Sequence, residues 1–164
     1  MPRRTRPRLP ARSNRSASSA GRIGSSARPG PLAVLRAIAR WALAALLVAA
    51  GLSHLFWARK GYRIVVPDWV VDHAPIDKDA VVVASGAAEV LMGAAVIGLP
   101  RERRRMGAII AAFFVAVFPG NVHQWRTGRS APMLRTDRAR LVRLFLQPVL
   151  VAWALWSTAP DSHR

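Results

Sequence analysis

Glu89 stands near the middle of an otherwise uncharged apolar run, Ala80 to Leu99, AVVVASGAAEVLMGAAVIGL. In hydrocarbon a carboxyl group is either protonated or paired, and membrane-embedded ionisable side chains are functional candidates by default. Two readings stay open for it: a proton-accepting or substrate-contacting carboxyl, or a fastener that hydrogen-bonds a neighbouring helix. Ser85 precedes Glu89 by four residues, and Arg143 precedes Gln147 by the same interval, so each pair shares one helical face and can point into a bundle interior. Arg143 could pair with Glu89, bind an anion or snorkel to headgroups, whereas Gln147 lies too deep to snorkel. His54 offers an imidazole for interhelical hydrogen bonding or proton relay. Asn121 follows Pro119 and Gly120, a pair that ends helices, so its amide either caps freed carbonyls or faces the other five side chains. No HxxxH or ExxH spacing joins these residues, and no metal site is expected. The candidate polar pocket is therefore His54, Ser85, Glu89, Asn121, Arg143 and Gln147, with no catalytic residue assigned.

Four apolar blocks must position these groups. They run from about Ile38 to Phe56, Ala80 to Leu99, Met106 to Val122, and Leu141 to Trp156. The last two are near the lower limit of ~17 residues for a spanning helix. Trp41 and Trp57, at opposite ends of the first block, would stand roughly 24 Å apart along a helix, close to the separation of the two interfacial aromatic belts. Trp69, Trp125, Trp153 and Trp156 read as further anchors, and Gly86 and Gly93 as points of close helix approach. Antiparallel threading puts His54, Ser85, Glu89, Asn121, His123, Arg143 and Gln147 within roughly 15 Å of the same membrane face. The opposite leaflet holds almost no polar groups.

Composition agrees. A hydrophobic fraction of 52% beside 25 Lys and Arg means that apolar and charged residues are segregated along the chain. The net charge of +17 is spread over a tail and several loops without a recognition motif, which speaks against nucleic acid and for membrane topology and anionic lipid. Zero cysteines exclude disulfides, CxxC chemistry and thiolate metal sites. The first thirty residues carry eight Arg and no acid, resembling a transit peptide in composition, and are expected to stay disordered as a mobile cytoplasmic tail. Arg101, Arg103, Arg104 and Arg105 crowd the turn between blocks two and three, on the side of that tail, whereas Asp68, Asp72, Asp77 and Asp79 dilute the cations of the first loop. The bias favours a multi-pass protein of the cell membrane with both termini cytoplasmic.

The strings AGLSHLF (50–56), VVPDWV (65–70), SGAAEVLMG (85–93), AVFPGNV (116–122) and RLFLQ (143–147) resemble, in order and spacing, the successive motifs of DoxX-like four-helix membrane proteins. Phe145, where many relatives have Pro, and His123, where an aromatic is commoner, depart from that pattern. The resemblance implies an all-α, polytopic membrane four-helix bundle over residues 32–157, between the basic tail 1–31 and a short C-terminal tail 158–164. It further implies a membrane subunit linked to redox or oxidative-stress physiology. The expected partners are the lipid bilayer, a redox or oxidative-stress protein, and a second copy of the chain in a homo-oligomer; the cofactor is unknown, a quinone-like ligand being one option. The alternative is a noncatalytic membrane scaffold that recruits a soluble enzyme. A transporter is less attractive, because four helices lack the inverted repeats usually needed for alternating access.

Overall fold

The computed structural model describes residues 30–72, 76–129 and 136–160. The Arg-rich segment before Gly30 and the last four residues lie outside them. Among the described residues the fold is all-α. It has four long helices, α1 (Pro31–Leu55), α4 (Lys78–Gly98), α5 (Arg103–Thr127) and α6 (Asp137–Thr158). Two short helices, α2 (Arg59–Tyr62) and α3 (Asp68–Asp72), flank a 3-10 turn at Arg63–Val65 in the first loop. Each long helix is long and apolar enough to cross a membrane, and even the shortest, the 21-residue α4, is about 31 Å long at 1.5 Å per residue.

Local chemistry sets the helix ends. Asp77 caps α4, its carboxylate accepting from the Ala80 N–H at 2.6 Å, and Thr136 caps α6 by accepting from the Ala139 N–H at 3.2 Å. Asp79 and Asp137 add negative charge to the first turns, where the helix dipole favours it. Gly128 stops α5 in the left-handed region at φ 64°, a conformation that only Gly adopts cheaply. Block three therefore does not end at Val122. Pro119 sits inside α5 and Pro148 inside α6, which membrane helices tolerate because neighbouring groups satisfy the freed backbone.

α1 packs chiefly on α4, and α5 on α6; α1–α6 and, less extensively, α4–α5 contacts join the two pairs. Glycines let α1 and α4 touch through their backbones. A Cβ on Gly51 would stand 2.5 Å from the Gly86 carbonyl oxygen, and one on Gly93 2.9 Å from the Ala44 carbonyl oxygen. The core of Leu43, Leu47, Met92, Val96, Ile110, Phe114 and Ala154 fills the half of the bundle nearer the chain termini. Large apolar side chains such as Ile38, Leu91, Val115, Phe145 and Val149 face outward. Contiguous outward apolar surface of this kind suits lipid.

At the termini end, Arg36 donates to the Pro160 carbonyl at 3.0 Å and Arg40 to the Ser157 carbonyl at 3.2 Å. Both arginines thus hold the C-terminal end of α6, where cations offset the helix dipole. Trp153, half-buried, donates its indole N–H to the Ala39 carbonyl at 3.0 Å and so fastens α6 to α1 rather than simply anchoring in the interface.

At the opposite end the first loop folds back over the bundle. Arg59 and Arg63 both bind the Asp79 carboxylate, Lys78 binds Asp68, and Arg129 approaches Asp68 at 3.6 Å. The Lys78 ammonium, first by hydrogen bond and then by charge, holds the Asp68 carboxyl below its ordinary 3.8. A depressed carboxyl contributes stability that is present above the unfolded-state value and lost as the pH falls through the folded one. Hydrogen exchange at α3 is therefore expected to quicken only below about pH 4, and Asp68→Asn to remove that dependence. The effect is small because Asp68 is exposed. An Asp68→Asn variant with the same acid dependence would rule this out.

Candidate functional site

The polar side chains gather beneath the folded loop, in the half of the bundle away from the apolar core. Glu89, buried on α4, faces His54 near the C-terminal end of α1, with His54 Nδ1 3.2 Å from Glu89 Oε2. The approach is close enough for an ionic contact but misaligned for a hydrogen bond, and neither of these two buried atoms has a hydrogen-bond partner among the described residues. Such atoms are few in folded proteins, and each calls for an explanation. The rings of Tyr62 and His54 pack edge to face, centroids 3.9 Å apart. Arg143 on α6 donates to Gln124 Oε1 at 3.1 Å, and its charge is felt at both His54 and Glu89.

Asn121 and Gln147 form a second group. Asn121 Nδ2 donates to Gln147 Oε1 at 3.0 Å, and Gln147 Nε2 donates to the Phe114 carbonyl, joining α5 to α6. Ser85 donates to the Val82 carbonyl of its own helix at 2.9 Å.

Two adjoining cavities meet at these residues. One, of about 230 Å³, lies between α4, α5 and the folded loop; His54, Ser85, Glu89, Asn121 and Arg143 line it together with Val66, Pro67, Trp69 and Val82. The other, of about 210 Å³, lies among all four long helices and takes in His54, Glu89, Asn121, Arg143 and Gln147 beside Leu47, Phe114 and Leu150. Five of the six expected residues thus line the first cavity and five the second, with Ser85 in the first alone and Gln147 in the second alone. His123 lines neither, and its buried Nε2 has no hydrogen-bond partner among the described residues.

Residues 43–158, which include all six of these side chains, match the domain of unknown function DUF8561. The chain belongs to the DUF8561 family. No curated protein and no solved structure matches it. The DUF8561 region covers the C-terminal half of α1 and the whole of α4, α5 and α6, so both cavities lie within it.

Two members of the site escape a reading by hydropathy. Gln124, almost fully buried, anchors Arg143 and donates to the Arg129 carbonyl at 3.2 Å. It lies past the Pro119-Gly120 pair that looked like a helix end, and its one available signal is its place one turn after Asn121. Tyr62, the single tyrosine of the chain, lines both cavities from the loop. Nothing in its local sequence marks it. Among the described residues no cluster of three or more His, Cys, Asp and Glu is placed to hold a metal ion.

Proposed function

We propose that this chain is a small membrane subunit of the DoxX type, linked to redox or oxidative-stress physiology, and that it binds a quinone-like or small anionic ligand beside Glu89. The observation that supports a ligand site is the pair His54 Nδ1 and Glu89 Oε2, 3.2 Å apart without a hydrogen bond, at the junction of two cavities. A mostly apolar hollow with a few convergent polar groups is the usual form of a small-molecule site. The residues fit such a head: Arg143 and His54 can donate to its oxygens, and Glu89 can receive a hydrogen bond from its hydroxyl form. A quinone would supply two-electron, two-proton chemistry when bound, with the electrons coming from a redox partner protein. The side chains here would orient the head and exchange its protons.

Glu89→Gln tests this, because it keeps the shape and removes the charge. Binding of a benzoquinone probe is expected to fall by about tenfold or more, in keeping with the 1.5–3 kcal/mol of a hydrogen bond to a charged group, while thermal stability stays near wild type. Unchanged binding would remove the reading. It would then favour a noncatalytic scaffold, which the satisfied Asn121–Gln147–Phe114 linkage supports: polar groups that only join helices. In that case Glu89→Leu should lower stability, and Glu89→Gln should leave recruitment of a soluble partner intact.

For topology we propose that the end holding both termini faces the cytoplasm. The α4–α5 turn at that end carries Arg101, Arg103, Arg104 and Arg105 with the single acid Glu102, and the Arg-rich segment precedes α1. At the other end Asp68, Asp72, Asp77 and Asp79 balance the cations of the first loop, although the α5–α6 connection is itself basic, with Arg126, Arg129, Arg135, Arg138 and Arg140 against Asp137. Single cysteines introduced at Arg101 and Lys60 into this cysteine-free chain should label from the cytoplasmic and external sides, respectively. The reverse pattern overturns the assignment.

A further inference from the structure

We infer that the ligand of this site is an amphiphile that enters sideways from the bilayer, its polar head at Glu89 and its single hydrocarbon tail in the second cavity. The inference rests on the ligand-binding reading above and adds the class of molecule and its route. The second cavity shares His54, Glu89, Asn121 and Arg143 with the first, so a head lodged at the polar wall has a direct path into it. Away from that wall its lining is hydrocarbon, from Leu47, Phe113, Phe114 and Leu150 among others. Its two exposed lining residues are Leu46 on α1 and Leu146 on α6, at 43% and 50% exposure, and they mark an opening on the lipid-facing side of the bundle. At the termini end α1 and α6 are bonded through Arg36, Arg40 and Trp153, so the helices are pinned there, and Leu46 and Leu146 lie about two helical turns beyond the Trp153–Ala39 bond.

Size agrees with the assignment. The cavity of about 210 Å³ exceeds the ~150 Å³ of an engineered apolar cavity that stays dry and accepts benzene. A wholly water-soluble ligand would have no use for a second, apolar compartment open to acyl chains, whereas a tail of several carbons would fill it and remove apolar surface from contact with water at the polar wall.

The test uses the full chain in lipid nanodiscs, with empty nanodiscs as the reference for partitioning. Two matched pairs of probes are titrated: a dimethoxy-methyl-benzoquinone head alone and with a decyl tail, and acetate beside decanoate. For whichever head binds, the tail is expected to raise affinity at least tenfold beyond its partitioning. Leu146→Trp, at an exposed position where the larger ring costs the fold little, should cancel most of that gain and leave the tail-free probe unchanged. Leu46→Trp serves the same purpose on the opposite lip. Equal binding of the tailed and tail-free probes, or a tailed probe insensitive to both tryptophans, overturns lateral entry and leaves the Glu89 site standing. If no probe binds, or if Glu89→Gln changes nothing, the site itself falls and this inference with it.

Discussion

Gly86→Val is expected to cost about 2–3 kcal/mol of stability and to weaken probe binding at Glu89 as well, the upper part of the range for overpacking a tight contact. A Cβ at this position would stand 2.8 Å from the Cβ of His54 and 2.9 Å from the Gly51 carbonyl oxygen. Real Cβ atoms do not sit so close, and one of the two neighbours is backbone that cannot rotate aside. α1 must therefore move away from α4, and His54 moves with it, lengthening the 3.2 Å approach to Glu89. Packing and site are coupled at a single residue. Gly98→Val is the control, since a Cβ there meets nothing within 4 Å, and its cost should stay within about 0.5 kcal/mol. Reversible unfolding in detergent, followed by tryptophan fluorescence, reads both. A Gly86→Val protein as stable as wild type would mean that the α1–α4 seam has more room than this geometry allows.

The sequence made the four spans readable because lipid imposes a simple rule: long apolar blocks separated by charge. It also placed the polar residues at one depth, since depth follows from counting along antiparallel helices, and the cavities lie at that depth. Helix ends were less readable. Pro119-Gly120 looks like a terminus because proline breaks helices in water, yet α5 runs a further seven residues to Thr127. Asp77 and Thr136, in contrast, carry ordinary capping signals that extend α4 and α6 beyond their apolar blocks. The hidden contacts are those across large sequence separations. Arg36 meets Pro160 and Arg40 meets Ser157 over more than a hundred residues, and only the closed bundle brings each pair together. Tyr62 was hidden for a related reason: a loop that folds back over a bundle leaves no periodic trace.

Gln147→Leu should lose about 1–3 kcal/mol, and the way this loss combines with a second substitution decides what the amide pair does. Gln147 and Asn121 are both buried, and Gln147 serves two partners, accepting from Asn121 and donating to the Phe114 carbonyl. Leucine there removes both bonds at once and leaves the Asn121 amide unpaired, at the cost typical of a stranded buried donor. Asn121→Val is milder, because Gln147 keeps its bond to Phe114; about 0.6 kcal/mol is the mean for interhelical hydrogen bonds in a membrane protein. If the pair is a fastener, the double variant should cost less than the two single losses combined, by at least 0.5 kcal/mol, since replacing both partners strands nothing between them. Strict additivity would show that the two amides do not depend on one another. Gln147, the one of the six that lines the second cavity and not the first, would then be available to whatever occupies that cavity, and the α5–α6 pair would be held by its apolar packing.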